Sequence, residues 1–174
     1  MNILKKINIA LFKFSILKLP SYLNSKSANK IKNYFAKKVL IDIGKNINWG
    51  KSIHMSLDIK IGDDSGIGNN AFLNGPISIG RDVMMGANVT VFRRNHKSNR
   101  IDIPMRLQGM DDAEELIIED DVWIGNDVTI LPKVKRIGHG SIIGARAVVC
   151  NDVPSMSVVV GNPGKIVRKR ENYG

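Results

Sequence analysis

The chain has 174 residues, a formal net charge of +10, 43% hydrophobic residues and one cysteine, Cys150. That length suits one well-buried domain, and a lone cysteine excludes an internal disulfide and a multi-cysteine zinc site, which fits a reducing compartment such as the cytoplasm. The charge is concentrated: residues 1–41 hold nine lysines and no acidic residue, while the rest of the chain, with 17 basic and 16 acidic residues, is close to neutral.

Residues 1–42 read as a basic helical segment. Leu4, Ile7, Leu11 and Phe14 fall at helical spacing, with Ile3, Ala10 and Leu17 beside them, and so form one apolar stripe. Pro20 ends this helix. Ser25 or Ser27 caps a second helix that carries Ile31, Tyr34, Phe35 and Val39. Lys13 interrupts the apolar run and no small-residue cleavage site follows, which argues against a secretory signal. The run is also too short and too charged to span a bilayer. Two roles stand open for the segment: a cap over the open end of the following domain, or peripheral contact with an anionic membrane.

From Ile43 the pattern changes. Stepping by six gives Ile43, Trp49, Met55, Ile61, Ile67, Leu73, Ile79, Met85 and Val91, all large and apolar. Four positions after each stand small or aliphatic residues, from Ile47 and Ile53 to Val83 and Val89. Glycine follows the ladder residue at Gly44, Gly50, Gly62, Gly68, Gly80 and Gly86. A period of six matches neither a helix nor a plain half-buried strand. It matches a short strand followed by a corner, with the glycine letting the backbone turn. Three such sides close one triangular rung, and the rungs stack as a solenoid with strands about 4.8 Å apart. Each buried ladder side chain contributes ~1.5–3 kcal/mol, largely offset by the entropy of ordering the chain.

The ladder stops after Val91. Residues 93–116, RRNHKSNRIDIPMRLQGMDDAEEL, show no hexad, and the period resumes at Ile118, Ile124 and Ile130. One extra residue intrudes near Lys135 or Arg136 before Ile137, Ile143 and Val149 continue it. The break reads as a loop thrown out from one corner, and long excursions from a rigid scaffold carry function. The chain thus divides into a helical segment (1–42), a coil with an extruded loop (43–162, loop 93–116) and a basic C-terminal tail (163–174).

Four stretches resemble one family: LNGPISIGRDVMMGANVTVF at 73–92, RNHKSNRIDIPMRLQGM at 94–110, IIEDDVWIGNDVTILP at 117–132 and VVVGNPGKIV at 158–167. Together they resemble the hexapeptide-repeat acyltransferases, and most closely the maltose/galactoside O-acetyltransferase group with its bacterial polysaccharide enzymes. The chain departs from the family pattern at Lys133 and Arg146, where glycine is usual, and at Cys150, Asn151 and Gly164. The resemblance implies an all-β fold, a left-handed parallel β-helix. It implies an acetyl-CoA-dependent O-acetyltransferase acting on a sugar hydroxyl, without a metal, as a homotrimer with sites between subunits.

Site residues follow from the same alignment. His96 matches the family's catalytic histidine, and an imidazole with a pKa near 6.5 suits a general base at neutral pH. Arg93, Arg94 and Lys97 flank it in sequence, and if near it in space they favour the neutral, proton-accepting form. Arg94 and Asn95 are assigned with Asn74 to the saccharide acceptor. Trp123 matches a tryptophan lining the cofactor and catalytic cleft, and Asn126 and Ala145 match positions that contact the pantetheine arm through backbone groups. Arg168 matches a basic residue near the nucleotide phosphates, where a guanidinium holds phosphate bidentately, with Lys165 assisting.

Other readings are weaker. A γ-class carbonic anhydrase shares such a coil but needs clustered histidines, and His54, His96 and His139 stand 42 and 43 residues apart. An antibiotic or other small-molecule acetyltransferase of the same fold is the enzymatic alternative. No aromatic platform or motif accompanies the basic tract, so nucleic acid is not expected.

Overall fold

The structure, a computed structural model, describes residues 2–171. Two helices, α1 (Ile3–Lys18) and α2 (Lys26–Val39), precede a parallel β-solenoid. The Asn2 side chain accepts from Leu4 N–H at the start of α1, and Leu19, extended before Pro20, ends it. Of the two serines offered as caps, Ser25 is used: its hydroxyl accepts from Ala28 N–H at 3.1 Å.

The solenoid has three sides. The first stacks Asp42–Ile43, Ile59–Ile61, Ile77–Ile79, Leu116–Ile118 and Arg136–Ile137. The second stacks Asn48–Trp49, Gly66–Ile67, Met84–Met85, Trp123–Ile124, Ile142–Ile143 and Ser157–Val160, and the third His54–Met55, Phe72–Leu73, Thr90–Val91, Thr129–Ile130 and Val148–Val149. The ladder residues fill the interior, all of them buried except Ile43 and Met55 in the first rung. Backbone groups pair from rung to rung, as Gly62 N–H to Ile79 C=O at 2.8 Å and Gly80 N–H to Ile118 C=O at 2.8 Å. The extra residue sits where the hexads placed it: Ile117 pairs with Arg136, and the Asp152 carboxylate gathers the Lys135 and Arg136 N–H groups.

The corners work differently from the expectation. The glycines after the ladder residues do not supply the turn. Positive φ falls two residues later, at Asn46, Asp64, Asn70, Asp82, Asn88, Asp121 and Asp127, among residues with φ near 60°. Asn and Asp visit this left-handed region more readily than other side chains. Their side chains also form a ladder, Asn70 to Asn88 at 3.0 Å and Asn88 to Asp127 at 2.8 Å. The glycines serve close stacking instead: a Cβ on Gly68 would stand 1.8 Å from the Gly86 carbonyl oxygen. Arg146, where the resemblance leads one to expect glycine, takes the same left-handed corner at φ 62°.

The helices cap the first rung: α1 does so with another face than its predicted stripe, whereas α2 keeps Phe35 and Val39 of its predicted set against the core. α1 buries Phe12, Ser15 and Ile16, and leaves Leu4, Ile7, Leu11 and Phe14 exposed. α2 buries Ala28, Lys32, Ala36 and Val39, while Ile31 and Tyr34 are exposed. The reason is the open end of the coil, whose backbone groups have no further rung to pair with. Polar residues of α2 satisfy them. Asn29 accepts from Trp49 N–H at 3.0 Å and donates to Ile47 C=O, Asn33 donates to Ile47 C=O at 2.8 Å, and Lys32 Nζ donates to Pro20 and Gly50 carbonyls at 2.8 and 2.6 Å. At the other end Lys165–Lys169 turns back as a strand, antiparallel to Ser157–Val160, and extends the second side.

Candidate active site

The excursion is a tied loop. Its neck is a short antiparallel ribbon: Lys97 N–H donates to Gly109 C=O at 3.1 Å, Asp111 N–H donates to Asn95 C=O at 2.9 Å, and His96 bridges Met110. His96 is exposed on this ribbon. Toward the tip, the Gln108 side chain accepts from Arg100 N–H at 3.1 Å and donates to the Arg100 and Ile103 carbonyls. Asp102 pairs with the Arg100 guanidinium, which holds its carboxyl below the ordinary range. The exit is pinned to the first side, where Glu115 accepts from Ser78 at 2.7 Å and from Lys60 at 3.3 Å.

Arg93 anchors the neck and was not anticipated in this role. It is 1% exposed, turned into the coil rather than standing among the loop charges. Its Nε donates to Glu114 C=O at 2.9 Å and its Nη1 to Val134 C=O at 2.7 Å, so one side chain joins both ends of the excursion to the coil. Burial lowers the guanidinium pKa from its ordinary value, and the Glu114 and Asp152 carboxylates oppose that more weakly. The signal for it lay in Gly75, one eighteen-residue rung earlier, whose φ is +113° and whose Cβ, if present, would stand 2.5 Å from Arg93 Cβ. A glycine at that corner leaves room for a long side chain folded over it.

The predicted acceptor residues belong to one corner, between the third and first sides, but do not line one hollow. Asn74 stacks under Phe92, its N–H donating to Val91 C=O at 3.2 Å, so it lies at the root of the excursion that carries Arg94, Asn95 and His96. Asn74 also lines a cavity of about 310 Å³ between α1 and the third side, with Lys13, Leu17, His54 and Phe72. Asn95 lines a separate hollow of about 240 Å³ beside Arg93 and Lys133. Arg94 is exposed beside them in sequence.

The predicted cofactor residues lie elsewhere. Trp123 is 49% exposed on the outside of the second side, flanked in register by Met84 and Ile142. Asn126 and Ala145 share the next corner in successive rungs, with Ala145 N within 2.7 Å of where a Gly125 Cβ would be. The Asn126 side-chain oxygen accepts from Ala87 N–H at 2.8 Å and its backbone carbonyl accepts from Arg146 N–H at 2.8 Å, so both of its acceptors hold the stacked corners together. Lys165 and Arg168 are exposed on the terminal strand of the same second side, opposite Val160 and Val158. Within one chain, the His96 corner and the Trp123–Asn126–Ala145 corner are therefore separated by the whole third side. Among the described residues no three His, Cys, Asp or Glu side chains cluster as a metal site.

Known proteins resemble this chain in sequence and fold. Residues 58–93 match the family described as bacterial transferase hexapeptide (six repeats). The chain is 33% identical over 126 residues to the galactoside O-acetyltransferase of Lactococcus lactis, covering 72% of this chain and 54% of that protein. Among solved structures, a hexapeptide-repeat acetyltransferase of Vibrio cholerae complexed with acetyl coenzyme A superposes with a TM-score of 0.78 at 26% identity, over 97% of this chain and 88% of the other. A maltose O-acetyltransferase of Clostridium difficile gives 0.71 at 25% identity, over 97% and 87%. The chain spans only 54–58% of the length of the curated relatives it matches first. The stacked hexads, the looped-out histidine and these likenesses together make the chain a hexapeptide-repeat protein that is similar in sequence and fold to acetyltransferases.

Proposed function

We propose that this protein is an acetyl-CoA-dependent O-acetyltransferase that acetylates a sugar hydroxyl of a bacterial surface polysaccharide or its precursor. The observation that carries the reading is His96, exposed on the hydrogen-bonded neck of the one loop extruded from a hexapeptide coil. His96 takes the proton of the acceptor hydroxyl, and the oxygen attacks the thioester carbonyl. Backbone N–H groups of the coil stabilise the oxyanion. The tetrahedral intermediate then expels the thiolate, and His96 returns the proton to it. Asn74, Arg94 and Asn95 hold the sugar. Trp123, Asn126 and Ala145 hold the pantetheine arm, and Lys165 and Arg168 hold the phosphates. Likeness to an acetyl-CoA-bound acetyltransferase supports the cofactor, and likeness to galactoside and maltose enzymes supports the acceptor class.

The working particle in this reading is a homotrimer in the cytoplasm, in peripheral contact with an anionic membrane where surface glycans are assembled. The separation of the two corners supports the trimer, since a neighbour is needed to bring a cofactor corner against a His96 loop. The test is thiol release from acetyl-CoA by the purified protein against neutral sugars, nucleotide sugars and antibiotics, with the mass measured in parallel. A sugar-dependent signal from a trimer is expected. Turnover with an antibiotic alone, or full activity in a monomer, overturns the reading.

A further inference from the structure

Helix α1 carries two apolar faces, and the coil uses only one. Phe12 and Ile16 are buried against the first rung. About a third of a turn around the helix, Leu4 is 63% exposed, Ile7 49%, Leu11 41% and Phe14 59%, with Ile3 at 74% continuing the line toward the N-terminus. Leu23, in the turn after the helix, adds a further exposed apolar side chain at 74%. A stripe of this kind on a cap helix has no structural purpose within the chain, because the cap is already complete without it. No described helix is long and apolar enough to cross a membrane.

The charge around the stripe selects its partner. Lys5, Lys6, Lys13 and Lys18 stand on the same helix, and five more lysines follow on α2, with no acidic residue before Asp42. A second copy laid face to face would bring one strongly basic surface against another, which opposes an isologous dimer through this face. An anionic lipid surface satisfies both features: aliphatic and aromatic side chains enter the interface while lysine stems lie along it with their ammonium groups in the headgroup layer. We infer that the Leu4–Ile7–Leu11–Phe14 face of α1 is a peripheral docking surface for an anionic lipid bilayer. The inference rests on the membrane contact in the functional reading above and deepens it by fixing the face.

The experiment is co-sedimentation of the full chain with vesicles of phosphatidylglycerol and phosphatidylcholine in equal parts, and with phosphatidylcholine alone, at low and high salt. The variant Ile7→Gln/Leu11→Gln changes exposed side chains only, and light scattering reports its oligomeric state. The expected result is binding to the anionic vesicles, weakened roughly tenfold or more by high salt and by the double substitution, with the oligomer unchanged. No binding of the wild type at low salt overturns the inference, as does equal binding of wild type and variant. So does a variant that loses its oligomeric state, which would make the stripe a subunit contact. Acetyl transfer to a soluble acceptor, measured on the same samples, separates loss of docking from failure of the enzymatic reading.

Discussion

Every rung of the coil stacks buried, mainly aliphatic side chains, whereas between Arg94 and Glu115 no residue is buried. The coil is held by burial and by rung-to-rung hydrogen bonds. The excursion is held by its two-stranded neck, by the Gln108 side chain at its tip, and by one buried guanidinium at its base. The comparison teaches that stability and the proposed chemistry are placed on different parts of this chain, joined through few side chains. Substitutions should therefore separate the two, except where a residue belongs to both.

The largest separation is expected at His96. His96→Ala should lower kcat by roughly 10²–10⁴ and leave the melting temperature within a degree or so, because the side chain is exposed and its neck bonds are backbone bonds. Near-wild-type turnover by the folded variant would remove His96 from the chemistry. The converse substitution is Ile124→Ala, in the buried ladder beside Trp123. It should cost about 2–5 kcal/mol of stability, read by denaturant unfolding, while the fraction that stays folded keeps its KM for the acceptor.

Arg93 is where the comparison should blur. Arg93→Met keeps the stem over Gly75 but leaves the Glu114 and Val134 carbonyls without their donor. Unmet buried acceptors cost about 1–3 kcal/mol. Hydrogen exchange at the Lys97 and Asp111 amides should speed up, and kcat should fall more than KM rises. Unchanged exchange at the neck would make Arg93 a coil residue only.

The smallest effect tests the other end of the coil. Burial pushes the Lys32 ammonium down to about 8. The folded pKa lies below the unfolded one near 10.4, so the unfolded chain binds more protons between them and stability rises with pH through that window. The wild type should gain stability relative to Lys32→Met as pH rises from 8 toward 10, in paired denaturation curves. A flat difference would show that Lys32 keeps its ordinary basicity in the cap.

Much of the coil was legible because its signal repeats. Each ladder position from Trp49 to Val149 needs the same thing, an apolar side chain facing the axis, and the one-residue intrusion near Lys135 stands out against that period. The excursion was legible by default, as the stretch where the period stops. The corners were misread, since glycine answers to both turning and close stacking in a sequence. Only the φ values assign the turning to Asn and Asp residues such as Asn70 and Asp127.

The sequence by itself determined the solenoid, its register, the site of the loop and the candidate base, because these depend on periodicity and local motif. Tertiary structure decided the rest. It turned α1 and α2 so that Asn29, Lys32 and Asn33 meet the open rung and the predicted apolar stripe of α1 faces outward. A helix can present either face, and the unsatisfied backbone at the coil end, invisible in the sequence, makes the choice. It also put Arg93 inside and set the His96 corner and the Trp123–Asn126–Ala145 corner a full side apart, since which corners adjoin depends on how the triangle closes in space.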